Sequence, residues 1–177
     1  MAKAINESWS ETIVFSKGIR VRRGDEIGSG CQRTVFECDY TCRGKEFVLK
    51  RADGSVQPNR SEYSIYRFVK GTEFEKYFPE FKRITSNGRW LLVEKCRVAE
   101  DEGMGDASEE GYFPQGILHD DHSGNWGWTL YDEREVIIDM AHGSYGYKSI
   151  RASIKASLVK RAAKPKIKRK PKGRKAA

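Results

Sequence analysis

The chain has 177 residues, 38% of them hydrophobic and 33% charged, which suits one domain of ordinary size plus a tail, with a thinner core than average. Its longest apolar runs, "FVL", "WLLV" and "VII", are far too short to cross a bilayer, and the opening "MAKAINESWSE" has no apolar stretch of a signal peptide. Membrane and secreted classes are set aside, and a cytoplasmic location is expected.

Charge divides the chain. The formal net charge is +8, yet 13 of the 33 basic residues and none of the 25 acidic ones lie from Lys148 onward, so the first 147 residues carry a net −5. Residues 1–147 are therefore expected to form the folded domain, and residues 148–177 a basic helix and disordered tail. Residues 160–175 would favour a nucleic acid or an acidic protein face through counterion release, or serve only as a solubilising tail. Cys31, Cys38, Cys42 and Cys96 form no C-x-x-C pair and are expected to be reduced, and buried or half-buried.

Short β-branched and aromatic runs come first: residues 12–15, 19–27, 33–40 and 45–51, broken by glycines in the manner of an antiparallel meander. The period then changes over "PNRSEYSIYRFVKG" (58–71). Asn59 and Glu62 have the spacing of an N-cap and capping box, Ile65, Phe68 and Val69 give an apolar face, and Gly71 is a stop. Residues 81–86 and 89–96 predict two strands joined at Asn87-Gly88, a hairpin signal. The acidic stretch "EDEGMGDASEE" (100–110) reads as a mobile loop. Residues 126–132 and 135–139 predict another hairpin, and 149–162 a helix with Ile150, Ile154 and Leu158 at helical spacing. No internal repeat is evident.

The chemistry-bearing residues fall in order along these elements. "EIGSGCQRTVF" places Gly28 and Gly30 between two strands, with Val35 after the turn. Alone, such a pair marks a hairpin turn. Lys50 ends the next strand, "FVLK", an order that covers a nucleotide's phosphates and sets a cation against them. Glu62 on the following helix offers a carboxylate to orient that lysine. Residues 93–96, with Glu94 and Cys96, offer a backbone edge for an adenine.

"HDDHSGN" (119–125) completes the series. Asp120 and Asn125 have the D-x-x-x-x-N spacing of a phosphoryl-transfer loop, and Asp139 ends "VIID" fourteen residues later. Asp120 would orient the proton of an attacking hydroxyl, and His122 would contact the transferred phosphate. Asn125 and Asp139 are hard oxygen donors suited to magnesium. Duller readings exist for each: Lys50 as an exposed strand-end lysine, Glu62 as a capping glutamate, and the loop as a polar turn. A metal-dependent hydrolase is a further alternative, with His119, Asp120, Asp121, His122, Asp139 and His142 as ligands, although it gives Gly28, Gly30 and Lys50 no task.

The ordered set resembles the protein-kinase-like superfamily over residues 19–145. "IGSGCQRTV" is similar to the Gly-rich loop, "FVLK" to V-A-I-K, "HDDHSGN" to the catalytic loop and "IDM" to the start of D-F-G. The D-x-H-x-G-N form is nearest to serine/threonine kinases encoded by bacteriophages, and is also similar to aminoglycoside and choline kinases. The resemblance implies an α+β fold: an N-lobe of antiparallel sheet plus one helix, a strongly reduced C-lobe and a basic tail. It also implies ATP and Mg2+ as cofactors and a serine/threonine protein substrate, such as host RNA polymerase or translation factors, in the host cytoplasm. The chain departs from the pattern at four points. Arg33 stands at the third glycine, and His119 precedes the catalytic aspartate. Met-Ala follows Asp139, and only twenty-five residues separate Glu94 from Asp120. The shortened C-lobe makes a pseudokinase-type binding module the main alternative.

Overall fold

The computed structural model describes residues 11–98 and 125–139, together with Trp9, Ala152 and Lys155. The 100–110 stretch, most of the 119–125 loop, the 149–162 helix as a whole and the basic tail lie outside the described residues.

An antiparallel sheet of six strands makes up most of the fold. Its strands are β1 (Glu11–Val14), β2 (Arg20–Ser29), β3 (Arg33–Cys42), β4 (Lys45–Ala52), β5 (Phe81–Ile84) and β6 (Trp90–Glu94), in the order β1-β2-β3-β4-β6-β5. The expected meander is thus present; β2, β3 and β4 run a little longer than their apolar runs, and β1 starts one residue earlier and ends at Val14. The hairpin at Asn87-Gly88 also forms, with Gly88 at φ 79° and its N–H donating to the Thr85 carbonyl at 2.8 Å. A positive φ there favours glycine.

The central strands are buried on both faces, which is why "FVLK" and "WLLV" are continuous rather than alternating. Phe47, Leu49, Trp90 and Leu92 pack with Ile13, Val21 and Phe36 on one side. Val48, Leu91 and Val93 meet the helix α1 (Gln57–Val69) on the other, through its Ile65, Tyr66 and Val69. Helical spacing of those three residues explains the contact.

The start of α1 corrects the capping-box reading. Val56 is the N-cap and Pro58 sits in the first turn, where its missing N–H costs nothing. Asn59 is therefore inside the helix and fully buried. Its side-chain amide donates to the carbonyls of Lys50 (3.2 Å), Gly88 (3.3 Å) and Arg89 (2.9 Å). Asn59 fastens the helix to the sheet instead of capping it.

Residues 89–96 do not make one strand. The run breaks at Lys95, and β7 (Cys96–Val98) joins a second, three-stranded sheet with β8 (Trp126–Thr129) and β9 (Glu135–Ile137), in the order β7-β8-β9. The β8–β9 hairpin was legible from sequence; its pairing with β7 was not. Trp126 and Ile137 carry this small sheet into the core beside α1. Arg134 adds a tie by donating to the Phe78 carbonyl at 3.0 Å. Gly127 faces Val98 in the ladder, and a Cβ there would lie 2.3 Å from the Arg97 carbonyl oxygen. Gly127→Ala is therefore expected to push β7 from β8 and cost about 1–3 kcal/mol, read as a lower urea midpoint. An unchanged midpoint would show that the pairing tolerates a Cβ.

Among the described residues, no helix is long and apolar enough to cross a membrane.

Candidate functional site

A cleft of about 670 Å³ opens between the large sheet and the small one. Its size is within the roughly 300–1,000 Å³ usual for small-molecule sites. Gly28, Gly30, Val35, Lys50, Glu94, Cys96, Asn125 and Asp139 all line it. Eight of the eleven residues predicted for the site thus share one cavity. Glu62 stands behind Lys50, and Asp120 and His122 lie outside the described residues, as do His119, Asp121 and His142.

Antiparallel pairing explains the near wall. Val35 is opposite Lys50 in the β3–β4 register, and Gly28 is opposite Val35 between β2 and β3. The Gly30 N–H donates to the Arg33 carbonyl at 2.8 Å, closing a tight turn, so the hairpin reading of the glycines is correct as far as it goes. Yet neither glycine has a positive φ, and a Cβ on either would meet no heavy atom within 4 Å. The fold itself does not require glycine at 28 or 30. Open space on the cleft side is what a closely approaching ligand would use.

Lys50 is buried, not an exposed strand end, at 7% exposure. Its Nζ is 3.0 Å from Glu62 Oε1 and also donates to the Ile138 carbonyl. Glu62 is wholly buried and is no capping residue; it carries a second cation as well. Arg33 Nη1 donates to Glu62 Oε2 at 2.5 Å, and Nη2 donates to Asp139 Oδ1. Among the described residues, two cations and two carboxylates thus form a balanced cluster at the polar end of the cleft. Burial alone would lower the Arg33 pKa, but the charges of Glu62 and Asp139 more than offset it, and the net direction is upward.

Arg33 is the residue that sequence reasoning failed to place in the site. The signal was present: Arg33 and Val35 are two apart on β3, and alternation puts both on one face.

The far wall is assembled by main-chain bonds. The Asn125 carbonyl accepts from the N–H groups of Ile138 (2.8 Å) and Asp139 (3.4 Å), which holds these two oxygen-bearing side chains side by side. Asn125 is 5% exposed and the Asp139 side chain 44%.

Apolar side chains line the rest. Val35, Val48 and Val93 form the interior, and Ile27 and Val98 flank the mouth. The last two are among the most exposed large hydrophobics of the described chain, so a flat apolar ligand would cover surface that otherwise faces water. The 93–96 edge is narrower than the sequence implied. Glu94 and Lys95 spend their N–H groups on the carbonyls of Glu80 and Glu46. Cys96 is opposite Thr129, whose N–H and carbonyl both face the β9 side, bonded to Arg134 and Glu133. In an antiparallel ladder this turns the Cys96 backbone groups away from β8. Among the described residues of this edge, Cys96 thus keeps main-chain groups that are not spent on β8.

The donor set fits a magnesium nucleotide. It has hard oxygens at Asn125 and Asp139, an ammonium at Lys50, apolar walls and one backbone edge. Among the described residues, no group of three or more His, Cys, Asp or Glu could hold a metal, so a bound ion would need phosphate oxygens to complete its shell. No protein-family model matches the chain, and no curated protein matches it.

Proposed function

We propose that the protein is an ATP- and Mg2+-dependent phosphotransferase of kinase-like fold that acts on serine or threonine of a protein. The observation that carries this reading is one cleft lined by Gly28, Gly30, Lys50, Asn125 and Asp139, with Lys50 tied to Glu62 at 3.0 Å. The order of these residues in the chain resembles bacteriophage-encoded kinases, and that resemblance is the basis for suggesting host transcription or translation proteins as acceptors.

Each residue has a task under this reading. Ile27, Val35 and Val98 would sandwich the base, and the Cys96 main chain would read its edge. Lys50, oriented by Glu62, would hold the phosphates, while Asn125 and Asp139 would hold magnesium. The metal would neutralise charge on the transferring phosphoryl group. Asp120 would orient the acceptor hydroxyl.

A second reading is a binding module that keeps the cleft without turnover. The Arg33–Asp139 contact favours it, because that carboxylate already has a cation. Of the ligands suggested for a hydrolase, only Asp139 is among the described residues, and it is this same Arg33-bound carboxylate.

Incubation with Mg2+ and γ-labelled ATP, alone and with a cell extract, separates these readings. Transfer lost in Asp120→Ala and in Asp139→Ala supports the kinase. Nucleotide binding without transfer supports the module, and metal-dependent nucleic-acid cleavage without ATP supports the hydrolase.

Binding has its own readout in Cys31, which is exposed and lines the cleft beside the glycine turn. Burial pushes the Cys38 and Cys96 thiols up to about 12, so near neutral pH they are not thiolates. Cys31 is exposed whereas Cys38, Cys42 and Cys96 are half-buried, so a maleimide should label Cys31 first, and ATP should slow that labelling, with Cys31→Ser as the control. Equal rates with and without ATP would count against a nucleotide in this cleft.

A further inference from the structure

Arg33 has no assigned task in the reading above, yet among the described residues it is one of two buried cations that line the cleft. It is 6% exposed, lines the cavity, and reaches two carboxylates carried by different elements, Glu62 on α1 and Asp139 just past β9. The same residue's carbonyl closes the glycine turn by accepting from Gly30 at 2.8 Å. The turn that would wrap the phosphates therefore also delivers a guanidinium to them.

Charge arithmetic shows why this matters. Without Arg33, the polar end would hold one ammonium, already paired to Glu62, and a second carboxylate, Asp139. That net negative site would repel a triphosphate unless a divalent ion arrived with it. With Arg33 the charges of the four described side chains, Arg33, Lys50, Glu62 and Asp139, balance before any metal binds. A guanidinium has five N–H groups in a planar fork that matches phosphate oxygens, and two of its nitrogens already donate to Glu62 and Asp139. The N–H groups not used in those two bonds belong to a side chain that faces the cleft. Burial against Glu62 opposes its swinging out to make way for an ion, because that would break a 2.5 Å ion pair to a fully buried carboxylate and leave one of its oxygens without its cation.

We propose that Arg33 is a built-in cation for the nucleotide's phosphates, standing against Asp139 where a divalent ion would otherwise be required, so that this cleft binds ATP without metal. The inference rests on the nucleotide reading of the cleft and deepens it: Arg33 is a phosphate-binding residue, and metal serves transfer more than binding.

Calorimetry on the full chain tests this directly, with ATP and with adenosine, each in excess EDTA and in Mg2+. The wild type should bind ATP in EDTA within a few-fold of its affinity in Mg2+. Arg33→Gln should weaken ATP binding in EDTA by on the order of tenfold to a hundredfold, recover in part with Mg2+, and leave adenosine binding unchanged. Arg33→Lys, which keeps the charge but not the fork, should fall between. If the wild type binds ATP in Mg2+ but loses it in EDTA, the proposal is overturned and the nucleotide cleft stands; this comparison needs no variant. Equal losses for adenosine and ATP in Arg33→Gln would make Arg33 a purely structural tie. ATP binding in neither condition would remove the nucleotide reading and this inference with it.

Discussion

Replacing Glu62 by alanine is expected to lower stability by about 3–5 kcal/mol, because it removes the carboxylate that two buried cations share and leaves Lys50 the Ile138 carbonyl and Arg33 the part-exposed Asp139. Lys50 and Arg33 are 7% and 6% exposed, and both direct a nitrogen to this one carboxylate. At roughly 2–4 °C per kcal/mol for a chain of this size, the melting temperature should fall by about 6–20 °C. Glu62→Gln keeps the shape and an acceptor oxygen and should lose less. Adding Lys50→Met to Glu62→Ala removes one of these two cations and should return part of the loss; such non-additivity marks direct coupling. A Glu62→Ala protein that melts within about 2 °C of the wild type would mean that the buried cluster does not persist in solution.

Asp139→Ala should have the opposite profile, with a large effect on transfer and a small one on the fold. Its side chain is 44% exposed, and Arg33 keeps Glu62 when Asp139 is gone, so the stability cost should stay within about 1 kcal/mol. Transfer should fall by about a thousandfold or more, since metal-assisted charge neutralisation contributes several kcal/mol in the transition state. Asp139→Asn should be nearly as inactive, because the amide is a weaker metal donor than the carboxylate. Initial rates of label transfer at saturating ATP give the comparison. An Asp139→Ala protein that transfers label at the wild-type rate would end the role of Asp139 as the metal-holding carboxylate and, with it, the assignment of transfer to this cleft.

The near wall was largely legible because it depends on local signals. β-branched runs, a glycine turn and an apolar strand ending in lysine fix β2 to β4, and antiparallel succession then sets Val35 against Lys50. Asn125 and Asp139 were chosen by spacing and do line the cleft. What failed had two physical origins. Asn59 fits an N-cap pattern, but Pro58 is preorganised for the first turn, so the helix begins earlier and the asparagine is drawn inside. Arg33 and Asp139 are 106 residues apart, and no local period encodes that contact. The pairing of β7 with β8 is hidden for the same reason: residues 89–96 look like one strand, and only tertiary packing divides them.

The three bonds from Asn59 bear on how the molecule opens. They join the first turn of α1 to the end of β4 and to the residues just before β6, while Glu62 one turn later holds β3 and β4 through Arg33 and Lys50. Tilting the helix away would break all of these together and leave buried groups unsatisfied. The helix and the central strands are therefore expected to open as one cooperative unit in amide exchange, with the carboxylate that orients Lys50 released only when that unit opens.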